Sequence, residues 1–220
     1  MRAAAALAAV FFLLVSCLAS ADTILVDVNG GGDFLSIGEG VLASSEGDTV
    51  LIAPGTYAGP NNRVISLGTK NLAIIGFAGP DSTVVDCEDL GRAFIVEGGQ
   101  DSTTVFSGLT IANGASFSGG GINCEGSSPV FEDCVFLSNR SIGSTGGGGL
   151  RVSDGSPHIT NCSFVANTAG LGGGMISRGT SSPILDNVLF EGNYGGASGG
   201  LRCESGTITV TNGTFRSNTS

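Results

Sequence analysis

The chain has 220 residues and 38 glycines, about one in six against a usual share near 7%. Nineteen acids face nine Lys and Arg, a formal net charge of -10. The glycines keep no every-third period, which excludes collagen, and an apolar share of 41% excludes a disordered acidic linker. One Lys and eight Arg, placed singly, cannot line a phosphate-binding surface, so nucleic acid is not an expected partner.

Residues 1–21 read MRAAAALAAVFFLLVSCLASA. One Arg precedes an apolar run from Ala3 to Val15, and Ala19-Ser20-Ala21 is an A-x-A cleavage site. This order predicts a signal peptide over 1–21 and a mature chain that starts at Asp22 with charge -11, since Arg2 leaves. The expected location is secreted, or at the cell surface or outer membrane. The apolar run is shorter than the roughly 20 residues of a bilayer-spanning helix, so no transmembrane span is expected in the mature chain. Leu14-Val15-Ser16-Cys17 also matches a lipobox, which would lipidate Cys17 and tether the domain. Cleavage after Ala21 would remove that cysteine.

Residues 22–47 read as an N-terminal cap. Asp22–Val28 suits a strand and Gly30–Asp33 a turn. Phe34, Ile37 and Val41 then fall three and four apart, with Leu42 beside Val41, the pattern of a short amphipathic helix running to about Ser44. Such a helix would cover unpaired strand edges that otherwise invite aggregation. Residues 48–220 follow, with strands expected in TVLIAPGTY, Asn71–Phe77, Thr83–Cys87 and Ala93–Val96.

Beyond about residue 103 the chain repeats. Phe-x-x-Asn recurs at Phe136–Asn139, Phe164–Asn167, Phe190–Asn193 and Phe215–Asn218. Ser-Pro recurs at Ser128, Ser156 and Ser182, and Gly-Gly before an apolar residue at Gly120, Gly148, Gly173 and Gly199. Three independent marks in one register define a unit of about 25 residues holding three short alternating strands. The fold expected is all-β: a single-stranded right-handed parallel β-helix of roughly seven turns. The phenylalanines should stack inward, with Cys134, Cys162, Val188 and Gly213 two residues before them. Asp133, Asn161, Asn187 and Asn212 should sit at a bend, because Asn and Asp tolerate the left-handed region. Asn139, Asn167, Asn193 and Asn218 should end the next strand in the same way, and stacked asparagines could bond along the axis. The repeat reaches Ser220 with no closing segment, so the β-helix is expected to be truncated at its C-terminus.

GDFLSIGEGVLASSEGDTVLIAPGTY, residues 32–57, resembles the opening of secreted β-helix proteins of the pectate-lyase-like superfamily. The repeats over 119–218 are similar to those of chlamydial-type polymorphic outer-membrane proteins. These resemblances imply the β-helix fold, and activities that range from polysaccharide lyases, hydrolases and esterases to adhesins without chemistry. The lyases would bring Ca²⁺ held by clustered carboxylates, with Arg or Lys as base. The outer-membrane relatives would bring a C-terminal barrel, which this sequence lacks.

Candidate chemistry is sparse. Glu132, Thr160, Asp186 and Thr209 are read as one outward column, so adjacent turns do not present paired carboxylates. Glu132 and Asp186, with Arg151, are the weak catalytic candidates, at the outer limit of glycosidase carboxylate spacing. Asp86, Glu88 and Asp89 are the weak cation candidates, beside the bland reading of a wet turn. His158 is the only histidine, should point outward, and lacks the partners of a triad or zinc site. Cys134 and Cys162 share a column, which leaves both a bridge and paired buried thiols open. The reading is an exported β-helix module with a structural, adhesive or carbohydrate-contacting role, meeting surface glycans or host and envelope proteins. The alternative is a polysaccharide lyase or glycoside hydrolase, or the N-terminal part of one.

Overall fold

The computed structural model of the protein describes residues 20–220. The apolar run and the Cys17 lipobox lie outside the described residues. From Thr23 onward the chain winds into a parallel β-helix. Its first sheet has eight strands, paired in chain order: Thr23–Val26, Thr49–Ile52, Ala73–Gly76, Val105–Ser107, Val130–Glu132, His158–Thr160, Ile184–Asp186 and Thr209–Thr211. Eight rungs bound seven turns, and the step along the chain runs from 24 residues (Thr49 to Ala73) to 32 (Ala73 to Val105).

A second sheet of seven strands runs from Gly55–Tyr57 to Thr214–Arg216, and a third of six from Ile65–Ser66 to Leu201–Cys203. Where three strands per turn are expected, a fourth sheet joins them. It consists of Ala115–Ser116, Arg140–Ser141, Thr168–Ala169 and Tyr194–Gly195. Strands of two residues are too short to show alternation.

The core is a set of axial stacks. Phe136, Phe164, Phe190 and Phe215 lie ring on ring, with centroids 4.5, 4.8 and 4.9 Å apart and ring planes within 8°. Phe131, Ile159 and Leu185 fill the facing slots and are fully buried. Between these two inward rows the chain must turn sharply. Asp133, Asn161, Asn187 and Asn212 do so at φ 50–54°, the left-handed region where Asn and Asp are favoured.

The second asparagine column behaves differently. There the left-handed residue is the one before: Ser138, Ala166, Gly192 and Ser217. Asn139, Asn167 and Asn193 are instead fully buried and form a continuous amide ladder. Each Nδ2 donates to the next Oδ1, at 3.1, 3.0 and 2.9 Å. Each also donates to a carbonyl of the previous turn: Ile111, Phe136 and Phe164. A buried amide costs free energy unless its groups are paired, and here the repeat pairs both.

The glycine pairs divide from the turn glycines by mechanism. A Cβ on Gly149 or Gly174 would stand 2.8 or 2.6 Å from a carbonyl oxygen of the following turn. Neither has positive φ, so close approach rather than left-handed backbone requires them.

The helix spans Ile37–Ala43, packing against Thr23–Val26, Thr49–Ile52 and the Pro60–Asn62 turn. Ile37 and Val41 are buried, whereas Leu42 is 83% exposed and does not belong to the packed face. The Lys70 ammonium donates to the carbonyls of Val41 and Ser44, satisfying helix-end acceptors. Thr23–Val26 is itself a rung of the first sheet, so stacking begins ahead of Asp48.

Candidate functional site

The sharp bend between the first and second sheets leaves an open groove along the outside of the helix. One part, of about 620 Å³, is lined by Phe77, Ser107, Gly108, Asp133, Asn161 and Ser163 among others. A second, of about 350 Å³, continues from Asn161 and Ser163 to Asn187, Thr214 and Arg216. The shared residues make this one channel across successive turns, spaced about 4.8 Å per rung.

Its chemistry is polar with one aromatic end. Phe77 is 72% exposed because alternation through Ala73–Gly76 turns Ile74 and Gly76 inward and Phe77 outward. Asn187 Nδ2 donates to Asn161 Oδ1 at 2.9 Å, while Asn161 keeps its own amide hydrogens free among the described residues. Asn212 Nδ2 bonds Asp186 Oδ1 at 2.9 Å instead of Asn187. At the far end Arg216 pairs with Glu191 at 2.7 Å, and that hydrogen bond pushes the guanidinium pKa up.

The proposed catalytic trio does not assemble. Glu132 and Asp186 lie on the first sheet with Thr160 between them, about 9.6 Å apart at two rungs. The rung after Asp186 carries Thr211; Thr209 pairs with Ile184, which corrects the column read from sequence. Arg151 is on the third sheet, where it bonds Asn123 and Glu125, each at 2.9 Å. A calcium ion needs 6–8 oxygens. Glu132 and Asp186 stand two rungs apart, and no group of three or more His, Cys, Asp or Glu gathers among the described residues. These acids therefore do not fit a lyase calcium site.

Of the Asp86, Glu88 and Asp89 cluster, the first two carboxylates are engaged internally. Asp86 accepts from the Glu88 N–H and from Asn113 Nδ2, while Glu88 pairs with Arg63 at 2.5 Å. Glu88 and Asp89 both adopt positive φ, as a turn requires. Tyr57 is buried, and its hydroxyl donates to the Ala53 and Val26 carbonyls. His158 is exposed on the first sheet between Val130 and Ile184.

The cysteines among the described residues are free thiols. Cys87, Cys124, Cys134 and Cys162 are buried and Cys203 is exposed. Burial pushes the Cys87 and Cys124 thiols up to about 12. Burial, and then the hydrogen bond with Cys134, holds Cys162 well above the usual thiol range.

Sequence reasoning missed the groove's rim. Phe77, Ser107 and Ser163 belong to turns or strands that read as ordinary, although the period-2 alternation around Phe77 marks it as outward. The stacked parallel sheets and the lateral groove define a β-solenoid with a polar channel along one bend. The chain belongs to the right-handed β-helix family, whose right handed beta helix region matches residues 92–220. No curated protein shows significant similarity to the chain.

Proposed function

We propose that the chain is an exported β-helix module that contacts neutral carbohydrate at the cell surface through the bend groove. The observation that carries this reading is the groove itself: a channel across successive turns, aromatic at Phe77 and then lined by unpaired hydrogen-bonding groups of Asp133 and Asn161. Extended glycans are recognised by apolar ring contact together with hydroxyl-directed donors and acceptors, and this groove offers both. The acidic charge of the chain, -10 in full and -11 from Asp22 onward, with Asp133 in the channel, favours a neutral over an anionic glycan. Glu132, Asp186 and Arg151 stand apart from one another, so the role proposed is binding, as adhesion or as structure, rather than bond cleavage. The pectate-lyase-like opening and the outer-membrane-type repeats accord with export and display.

The test is a binding titration of the full chain with cellohexaose and with hexagalacturonate, beside depolymerisation assays with and without Ca²⁺. Saturable binding of the neutral hexasaccharide is expected, weakened roughly tenfold by Phe77→Ala, equivalent to about 1.4 kcal/mol. Absence of binding to either glycan, or robust product formation, would overturn the reading.

A further inference from the structure

Asn-Gly is the dipeptide in which an asparagine side chain is most open to attack by the following backbone nitrogen, because glycine has no Cβ to hinder the approach. It occurs three times, at Asn29-Gly30, Asn113-Gly114 and Asn212-Gly213. The attacking atom is the glycine nitrogen after loss of its proton. A hydrogen bond from that N–H keeps the proton in place and must open before attack.

The fold treats the three pairs differently. The Gly30 N–H donates to Asp27 O at 3.0 Å. The Gly114 N–H is buried and donates at 2.8 Å to Asn139 Oδ1, in the amide ladder. The Gly213 N–H has no acceptor among the described residues. Asn212 and Gly213 are both exposed, and Asn212 Nδ2 donates to Asp186 Oδ1 at 2.9 Å.

We propose that Asn212 is a self-modifying site of the folded chain, converted to aspartate and isoaspartate while Asn29 and Asn113 are kept. The Gly213 nitrogen gives its proton to solvent and bonds to Asn212 Cγ. The Cγ–Nδ2 bond breaks, ammonia leaves with a proton returned from solvent, and a succinimide ring closes. Water then adds to either ring carbonyl, and the ring opens to aspartate or to isoaspartate. The net change is one water taken up and one ammonia released, with no oxidant or reductant. The product carries a carboxylate next to Asp186, so like charge replaces a hydrogen bond. The isoaspartate route also adds a methylene to the main chain. The Asn187 N–H bonds Thr211 O at 3.0 Å and the Thr214 N–H bonds Val188 O at 2.9 Å, straddling the altered residue. A longer link does not fit between both anchors. Ageing therefore loosens the turn that carries Thr214 and Arg216 at the far end of the groove.

The test is peptide mapping of the full chain, held folded in mildly alkaline buffer and, in parallel, unfolded in urea. Isoaspartate is counted by methyl uptake from S-adenosylmethionine with an isoaspartyl methyltransferase. In the folded chain the reaction is expected at Asn212, and roughly tenfold or more slower at Asn29 and Asn113, where a hydrogen bond must first open. In urea the three rates should converge. Asn212→Gln should abolish the folded-state signal. Amide exchange at Asn187 and Thr214 should quicken in the aged parent chain and stay unchanged in aged Asn212→Gln. Reaction at Asn29 or Asn113 as fast as at Asn212 in the folded chain would overturn the proposal. So would an unmodified Asn212 in the folded chain, or an aged chain whose Asn187 and Thr214 amides exchange as before.

Discussion

Asn167 and Asn193 are joined twice across one turn of the helix: the Asn167 backbone N–H and its Nδ2 both donate to Asn193 Oδ1, at 2.9 and 3.0 Å. Asn167 Oδ1 in turn takes both donors of Asn139, at 2.9 and 3.1 Å. Replacing Asn167 with Ala strips at least two buried groups of a partner, each worth about 1–3 kcal/mol. Asn167→Ala is therefore expected to cost about 3 kcal/mol or more in urea denaturation. Asn187→Gly, at an exposed left-handed position, should cost under about 1 kcal/mol. Equal losses at the two sites would contradict the division between ladder and bend.

The repeated glycines make a second contrast. A Cβ on Gly174 would meet Gly200 O at 2.6 Å and Phe190 Cδ1 at 2.8 Å, neither of which can retreat from the core. Gly192 has φ 62° and open space around its Cβ position. Gly192→Ala should cost only the left-handed backbone penalty, about 1 kcal/mol. Gly174→Ala should cost more, of the order seen for overpacked cores, about 1–3 kcal/mol with backbone displacement added. Equal midpoints for the two variants would refute the close-approach reading.

Most of the architecture was legible because each column is repeated. One Phe, one Asn or one Gly-Gly says little, but three marks in one register leave only a coil with that period. The distinction between the two asparagine columns was not legible, since both present Asn at the same spacing. What separates them is the residue carrying the left-handed turn, Asn161 itself in one case and Ala166 in the other. The groove was half legible. Asp133 and Asn161 stand in the repeat, whereas Phe77 and Ser107 lie in the less regular early turns. Arg151 shows the converse: the sequence grouped it with Glu132 and Asp186 as a weak candidate, and the winding carried it to another sheet, onto Glu125.

Thiol chemistry follows from burial. Of the cysteines among the described residues, only Cys203 should react promptly with an aromatic disulfide reagent at neutral pH; the four buried ones should react on unfolding. The thiol pKa values of Cys87 and Cys124 rise on folding from 9.0 to about 12. The folded state then holds more protons than the unfolded state between those values, so stability is present below about pH 9 and falls as pH rises towards 12. The urea midpoint should decline over that range, and Cys124→Ala should flatten the decline. A midpoint that rises with alkalinity would contradict the assignment.

The expected N-terminus after passage through a secretory pathway is Asp22, read by intact mass; an acylated Cys17 at the N-terminus would establish a lipid-anchored form instead.

The neutral glycan proposed for the bend groove is tested by hydrogen exchange of the full chain, with and without saturating cellohexaose. The expected result is slowed exchange confined to the segments around Phe77, Ser107, Asp133 and Asn161, with the Arg151 face of the third sheet unchanged. Protection centred on the third sheet, or no protection anywhere at saturating glycan, would contradict it.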